Sequence, residues 1–239
     1  MRILITRPQE DAVAFAARLA DCGVESLVVP LMEIVFEPAA GADLDGIRAV
    51  LLTSANGARA LAAAGSGRDL PVIAVGPATA QAARQAGFAV MAVAGGDVVA
   101  LARTVCDTLK PDDGTLLHVC GSVVAGDLAA ALGGAGYTVR RFTAYQARTA
   151  RVLPDDLAAV LRAGTADGAA FFSPRSAATF VRLTREAGLG GTLERLAGYC
   201  LSEAVARELT WPVWGVLRVA SSPDGEALAR LICADAERP

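Results

Sequence analysis

The residues with the clearest capacity for chemistry are hydroxyl groups placed where a strand is expected to end and a helix to begin. Thr53-Ser54 and Ser173-Pro174 each follow a short apolar run and precede a stretch with helical spacing. The first N–H groups of a helix are unpaired and its dipole favours negative charge, so such a turn can bind an anion. N-capping explains each hydroxyl, taken singly, at least as well. Their matched positions in the two halves of the chain favour anion binding.

Further candidate binding residues occupy the same kind of turn. They are Arg7, Gly76, Pro77, Thr79, Gly121, Ser122, Arg175 and Ser202. An arginine can hold a carboxylate through two parallel N–H donors, and a glycine lets the backbone approach a ligand closely. Turn geometry, packing and an ordinary solvated arginine are the alternatives. Glu203 places a carboxylate directly after Ser202, so either Glu203 points away from a bound anion or this turn contributes only amide groups.

The histidine and cysteine content argues against a metal site. His118 is the single histidine, so neither an HExxH motif nor a carboxylate–histidine pair can be assembled. It lies inside an expected strand, where a structural role is favoured over a catalytic one. The cysteines show no CxxC spacing and are interpreted as reduced thiols. They are Cys22, Cys106, Cys120, Cys200 and Cys233.

Charge and hydropathy exclude several classes of partner. The chain has 22 basic and 25 acidic residues, and its lysines and arginines form no run. Aromatic side chains, on which bases could stack, are few. Nucleic acid is therefore not an expected partner. No apolar run approaches the roughly 20 residues that span a bilayer, and the first residues do not resemble a signal peptide. A GxxxxGK(S/T) loop and a GxGxxG motif between a strand and a helix are both absent, which argues against a nucleotide cofactor. We therefore expect a cytoplasmic protein without membrane contact.

The elements that would position these turns alternate as strand and helix. Short apolar runs, turns rich in Gly, Ser, Thr or Pro, and stretches with helical spacing follow one another along the chain. The runs are continuously apolar, as expected for parallel strands covered by helices on both faces. The predicted fold class is α/β, with doubly wound parallel sheets. Ten candidate strands predict two five-stranded sheets, and they span residues 2–6, 25–30, 49–53, 72–75, 89–93, 115–119, 138–142, 169–172, 198–201 and 215–219.

An internal repeat relates the two halves of the chain. Residues 2–24 align with 116–137, and residues 51–54 align with 171–174. The order is a two-strand unit, a three-strand unit and then both again, so each domain should combine one unit of each kind. This pattern leaves open whether neighbouring units pair in tandem or cross over. A segment bounded by Pro30 and Pro38 is expected to be extended and to connect the domains.

Short motifs in order along nearly the whole chain resemble those of the uroporphyrinogen-III synthase family. They are Ile5–Pro8, Leu52–Ser54, Val75–Thr79, Ala144–Gln146 and Phe171–Pro174. The resemblance implies two similar flavodoxin-like α/β domains joined by a two-stranded connector, and it favours the crossed pairing. Residues 1–33 and 148–239 would then form one discontinuous domain and 37–142 an inserted domain, with connectors over about 30–38 and 142–148.

The resemblance also implies a reaction and a site. Hydroxymethylbilane, a linear tetrapyrrole with eight carboxylates, would lose water and close into uroporphyrinogen III with its last pyrrole ring inverted. The turn residues above would bind the substrate, and the phenol of Tyr145 would donate a hydrogen bond to the departing hydroxyl. Packing between the domains is the alternative role for Tyr145. No cofactor or metal is implied, and a monomer is expected. The alternative function is a two-lobed tetrapyrrole- or anion-binding module without catalysis.

Overall fold

The computed structural model describes residues 1–37, 43–65, 67–124, 126–211 and 213–237. Within these ranges, strands and α-helices alternate along most of the chain. The strands are β1 (Arg2–Ile5), β2 (Glu25–Val28), β3 (Met32–Phe36), β4 (Ile47–Leu52), β5 (Val72–Ala74), β6 (Val90–Val93), β7 (Thr115–Gly121), β8 (Val139–Thr149), β9 (Gly168–Phe171), β10 (Ala197–Cys200) and β11 (Val216–Val219). The helices are α1 (Gln9–Ala20), α2 (Ala55–Ala63), α3 (Pro77–Gln85), α4 (Val98–Thr108), α5 (Leu128–Gly133), α6 (Asp155–Ala163), α7 (Pro174–Glu186), α8 (Glu203–Ala206) and α9 (Gly225–Ala236).

The chain divides into two compact units. One, the end unit, comprises Met1–Glu33 and Arg148–Pro239, and the other, the middle unit, comprises Ile34–Ala147. Each unit has its own sheet and its own hydrophobic clusters.

The end unit contains a five-stranded parallel sheet in the order β11-β10-β9-β1-β2. Read from β2, this is the flavodoxin-like order 2-1-3-4-5. Side chains alternate across the sheet: Leu4 joins the cluster that includes α6 and α7, whereas Ile3 and Ile5 join the cluster that includes α1 and α9. The sheet is therefore covered on both faces, as the continuously apolar strands predict.

The middle unit is built on the same plan. Its sheet has the order β3-β8-β7-β4-β5-β6, and the pairs from β8 to β6 are parallel. Val50 and Leu52 face the cluster that includes α2 and α3, whereas Ala49 and Leu51 face the cluster that includes α4 and α5. The α/β class with doubly wound parallel sheets is thus confirmed. The order β7-β4-β5-β6 repeats the order β1-β9-β10-β11, as the internal repeat predicts.

The prediction of two five-stranded sheets is wrong for the middle unit, whose sheet has six strands. The segment expected to be merely extended after Pro30 forms β3, which pairs with β8 at the edge of that sheet. The strand predicted to end at Phe142 continues to Thr149. An edge strand is only half covered, so its side chains lack the continuous apolar run that marks a central strand. Pro38 lies outside the described residues.

The prediction of five reduced thiols is wrong for two of them. Cys22, just after α1, forms a disulfide with Cys233 in α9, and their Cα atoms are 5.9 Å apart. The two residues are separated by 211 positions, so their spacing carries no sign of the pairing. They meet because α1 and α9 pack on the same face of the end-unit sheet. Cys106, Cys120 and Cys200 are free.

Candidate functional site

A cavity in the middle unit lies beyond the carboxyl ends of its central strands. Its volume is about 300 Å³. It is lined by Thr53, Ser54, Val75, Gly96, Asp97, Val98, Gly121, Val123, Val124 and Tyr145. In open α/β sheets, ligands bind at this edge, where the connections from adjacent strands diverge to opposite faces. In the middle unit that point falls between β4 and β7, which are direct neighbours. We refer to this cavity as the Tyr145 cavity.

Tyr145 contacts Ser54 through its phenol oxygen, and its ring packs against the backbone of Gly121, which has no side chain. The phenol oxygen lies 2.7 Å from Ser54 Oγ. A Cβ atom on Gly121 would lie 2.8 Å from Cε2 of the Tyr145 ring, closer than carbon atoms pack. Burial raises the pKa of the phenol above its ordinary value, and the hydrogen bond with Ser54 opposes that shift. The phenol therefore stays protonated at neutral pH and can act as a hydrogen-bond donor.

Ser54 has two roles in this arrangement. Its Oγ accepts a hydrogen bond from Gly57 N–H at 3.2 Å, so it caps α2 in the manner predicted as the alternative. The same oxygen contacts the Tyr145 phenol. Capping and site formation are thus properties of one side chain, because an N-cap hydroxyl at the end of β4 necessarily faces the carboxyl edge of the sheet.

Thr53 is linked to the buried histidine. Its Oγ1 lies 3.2 Å from Nε2 of His118, which is 5% exposed and sits on the adjacent strand β7. Burial, followed by the charge of Arg141, lowers the pKa of His118 below its ordinary value of 6.5. The imidazole is therefore neutral at pH 7. His118 does not line the cavity but orients Thr53, which does.

The turn before α4 contributes a residue that the sequence reasoning missed. Asp97 lines the cavity and caps α4 by accepting a hydrogen bond from Ala100 N–H at 2.7 Å. The sequence carried a signal for it, because an aspartate directly before an apolar, helix-spaced run is a typical N-cap. The hydrophobic lining by Val75, Val98 and Val123 was also not predicted.

The Gly76–Thr79 turn lies beside the cavity without lining it. Gly76 is the N-cap of α3 and Pro77 its first residue, as the turn chemistry predicts. A Cβ atom on Gly76 would lie 3.5 Å from Gly96 Cα, so the two turns pack closely. Thr79 is 6% exposed on the inner side of α3. Ser122 is exposed, and its N–H donates to the Tyr145 carbonyl at 3.0 Å.

In the corresponding turns of the end unit, Arg7 follows β1 and Ser173 follows the neighbouring strand β9. Arg7 lies over the Phe172 ring at 4.5 Å and contacts Asp11 at 3.4 Å. Ser173 caps α7 by accepting from Ser176 N–H. In the same turn, Pro174 and Arg175 are exposed.

The third turn of the end unit is different. Ser202 precedes α8 but makes no capping hydrogen bond through its side chain. Glu203 is exposed at the start of this four-residue helix. Of the predicted site residues, the structure brings Thr53, Ser54, Gly121 and Tyr145 into one cavity.

The described residues provide no cluster of metal ligands and no membrane-spanning helix. No group of three or more histidine, cysteine or acidic side chains there could hold a metal ion. None of the helices in the described ranges has both the length and the apolar character that crossing a bilayer requires.

A doubly wound sheet with a largely apolar cavity that carries a few polar groups at its carboxyl edge is typical of small-molecule-binding α/β proteins. The comparisons with known proteins narrow this class. A family model described as uroporphyrinogen-III synthase HemD matches residues 13–230. The chain belongs to the uroporphyrinogen-III synthase family, and the synthesis of uroporphyrinogen III is its function.

Solved structures support the same fold. A mutant uroporphyrinogen III synthase from the extremely thermophilic bacterium Thermus thermophilus is 21% identical over 100% of both chains, with a TM-score of 0.56. The uroporphyrinogen-III synthetase of Helicobacter pylori is 16% identical, with 98% of this chain and 99% of that chain covered and a TM-score of 0.65. No curated protein sequence matches the chain. The family-model match over residues 13–230 confirms the expected family resemblance.

Proposed function

We propose that the chain acts as a hydro-lyase on hydroxymethylbilane, with Tyr145 assisting the loss of water. The substrate's hydroxyl takes up a proton from solvent and leaves as water, and the substituted carbon of the last pyrrole ring attacks the methylene carbon left behind, giving a spiro intermediate. The original bond between that pyrrole carbon and its bridge then breaks, and the inverted ring rejoins the bridge through its free carbon, which loses a proton. The support for Tyr145 is its geometry: a neutral phenol, 2.7 Å from Ser54 Oγ, lines a cavity at the carboxyl edge of a parallel sheet. A neutral phenol can donate a hydrogen bond to the departing oxygen without giving up its proton.

Ser54 and Thr53 would orient this chemistry. Ser54 fixes the phenol oxygen of Tyr145, and His118 fixes the hydroxyl of Thr53, so two hydroxyls line the cavity with restricted rotation. The neutral imidazole adds no positive charge beside the site. This arrangement suits a reaction in which positive charge develops on the substrate as water leaves.

The substrate carboxylates would be held by the turns of each unit. In the middle unit these are the backbone groups of the turn at Gly76, Pro77 and Thr79, where the Thr79 side chain is buried, and of the turn at Gly121 and Ser122. In the end unit, the proposed contacts are Arg7, Ser173, Pro174, Arg175 and the amides following Ser202. The unpaired N–H groups at the starts of α2, α3 and α7 suit anions, and the exposed Arg175 guanidinium can form a fork with a carboxylate.

Positioning should outweigh any one acid or base in this enzyme. Hydroxymethylbilane closes spontaneously to the symmetric isomer, so the protein must hold one conformation and prevent direct attack. We therefore expect substantial residual activity when any single site residue is replaced. A Thr53→Ala protein that is folded but without activity would contradict this view.

The decisive assay is isomer analysis. Purified protein is supplied with fresh hydroxymethylbilane, the product is oxidised, and the uroporphyrin isomers are separated. Predominantly isomer III is expected, and isomer I alone from folded protein would instead support a tetrapyrrole- or anion-binding module.

The Tyr145→Phe variant tests the role of the phenol. We expect kcat to fall roughly 10- to 100-fold, which is at the low end of the effects seen when one catalytic hydrogen-bond donor is removed. Isomer III should remain the main product. Tyr137→Phe is the matched control, because Tyr137 is buried in the same unit and donates to the Leu109 carbonyl away from the cavity. Wild-type kcat in Tyr145→Phe would refute the proposed role.

The organisation of the enzyme is part of the proposal. The end unit and the middle unit would be its two domains, with connectors over about 30–38 and 142–148. A cytoplasmic monomer without a cofactor accords with the family reaction, which consumes one small substrate. Light scattering of the purified protein tests the monomer.

A further inference from the structure

The β7–β8 pairing is irregular at the point that matters for Tyr145. Cys120 pairs with Thr143, but the next residue of β7, Gly121, pairs with Tyr145. Ala144 is therefore an extra residue in β8, and its side chain is buried in the core. Such a bulge re-aims the side chains that follow it. Here it sets the Tyr145 ring against the bare backbone of Gly121.

Arg141 reaches across this irregularity. It pairs with His118 in register and precedes the bulge on β8. Its Nε donates to Cys120 Sγ at 3.2 Å, and its Nη2 donates to the carbonyls of Gly121 and Ser122, both at 3.4 Å. One guanidinium thus contacts three consecutive residues at the end of β7. Although Arg141 is an exposed residue, these contacts direct its charge onto the β7 terminus, and it does not line the cavity.

We infer that Arg141 is a positioning residue, which fixes the Gly121–Ser122 backbone so that Tyr145 is held in its catalytic orientation. Two bonds link the same backbone to Tyr145 and to Arg141, because Ser122 N–H donates to the Tyr145 carbonyl while its own carbonyl accepts from Arg141. The guanidinium can make these contacts together because its donors form a rigid planar fork. An ammonium group on a flexible stem cannot span the same three acceptors.

The ion pair of the neighbouring arginine provides a control. Arg140, one residue earlier on β8, contacts Asp43 at 2.8 Å and touches none of the β7 terminus. Replacing Arg140 removes the same charge from the same strand. A general electrostatic effect would therefore appear in both variants, whereas loss of positioning would appear only at Arg141.

The test compares Arg141→Gln, Arg141→Lys and Arg140→Gln in the full chain. The protein has three tyrosines, so carbon-13 labelling of their rings gives few NMR signals, and Tyr145→Phe identifies the relevant one. Both Arg141 variants should shift the Tyr145 signal and lower kcat roughly tenfold, with KM changed by less than about twofold. Arg140→Gln should change neither.

The inference rests on the proposed role of Tyr145, and the two readouts separate the failures. An unmoved Tyr145 signal in Arg141→Gln overturns the positioning role, whatever happens to activity. An Arg141→Lys protein with the wild-type signal overturns it too, since charge alone would then suffice. A shifted signal with unchanged kcat supports the positioning role of Arg141 and refutes the catalytic role of Tyr145.

Discussion

Replacing Gly121 with alanine should displace the Tyr145 ring without adding or removing a polar group. The new Cβ would lie 2.8 Å from Cε2, 2.9 Å from Cζ and 3.3 Å from the hydroxyl oxygen of Tyr145. Carbon atoms pack at about 3.5–4.0 Å, so the ring must retreat by roughly 0.7 Å or more. The hydrogen bond of 2.7 Å between the phenol and Ser54 cannot persist unchanged after such a shift.

The size of the effect follows from this displacement. A misplacement approaching 1 Å can reduce a rate by up to about 100-fold, so we expect Gly121→Ala to lower kcat between roughly 10- and 100-fold. Overpacking should also reduce the free energy of unfolding by about 1–3 kcal/mol. Gly133→Ala is the matched control, because a Cβ there meets nothing within 4 Å. It should retain wild-type kcat.

The assay is isomer-resolved turnover of hydroxymethylbilane, combined with a double-mutant cycle. If Gly121→Ala acts through Tyr145, combining it with Tyr145→Phe should cost less than the sum of the two single effects. Strict additivity would show that the alanine acts elsewhere. Wild-type kcat in Gly121→Ala, with the Tyr145 NMR signal unmoved, would refute the reasoning from the close contact.

Two further predictions concern the buried histidine and the disulfide. The folded pKa of His118 is below 6.5, so the unfolded chain binds more protons in that window, and the free energy of unfolding should fall as pH drops from about 7 toward the folded pKa. Because His118 is the single histidine, its NMR titration measures that pKa directly. A measured pKa at or above 6.5 would contradict the prediction. A pH dependence of the free energy of unfolding that is retained in His118→Gln would contradict it too. Replacing Cys22 with serine should lower the free energy of unfolding by about 2–5 kcal/mol under oxidising conditions and leave turnover unchanged. Cys106→Ser, which changes a free cysteine, is the control. Equal denaturation curves for Cys22→Ser and the wild-type protein would contradict the prediction.

The fold class could be read from the sequence because buried parallel strands leave a distinct pattern. Runs such as Ala49–Leu52 are apolar at every position, since both faces of the sheet are covered. The edge strand β3 was not predicted because half-covered strands lack that pattern. The Cys22–Cys233 pair escaped because nothing local relates residues so far apart in the chain.

The site could be predicted by residue type but only partly by geometry. Thr53, Ser54 and Gly121 were found because strand ends in a parallel sheet converge on one edge. The Tyr145–Gly121 contact depends on a one-residue shift between β7 and β8, which no local propensity encodes. Thr79 was placed in the site by its turn, but the helical period turns its side chain inward, where it is 6% exposed.

The charge distribution around the cavity is better suited to the proposed loss of water than to simple anion binding. Among the described residues that line the cavity, Asp97 and Tyr145 are the ionisable ones, and none is an arginine or lysine. Arg141, a cation on the same strand as Tyr145, is directed onto the Cys120 thiol and the carbonyls of Gly121 and Ser122. A cation facing the cavity would oppose the positive charge that remains on the substrate when its protonated hydroxyl leaves as water, whereas hydroxyls and a carboxylate do not. The basic groups proposed for substrate binding, Arg7 and Arg175, belong to other turns, so carboxylate binding and ionisation are assigned to different parts of the chain.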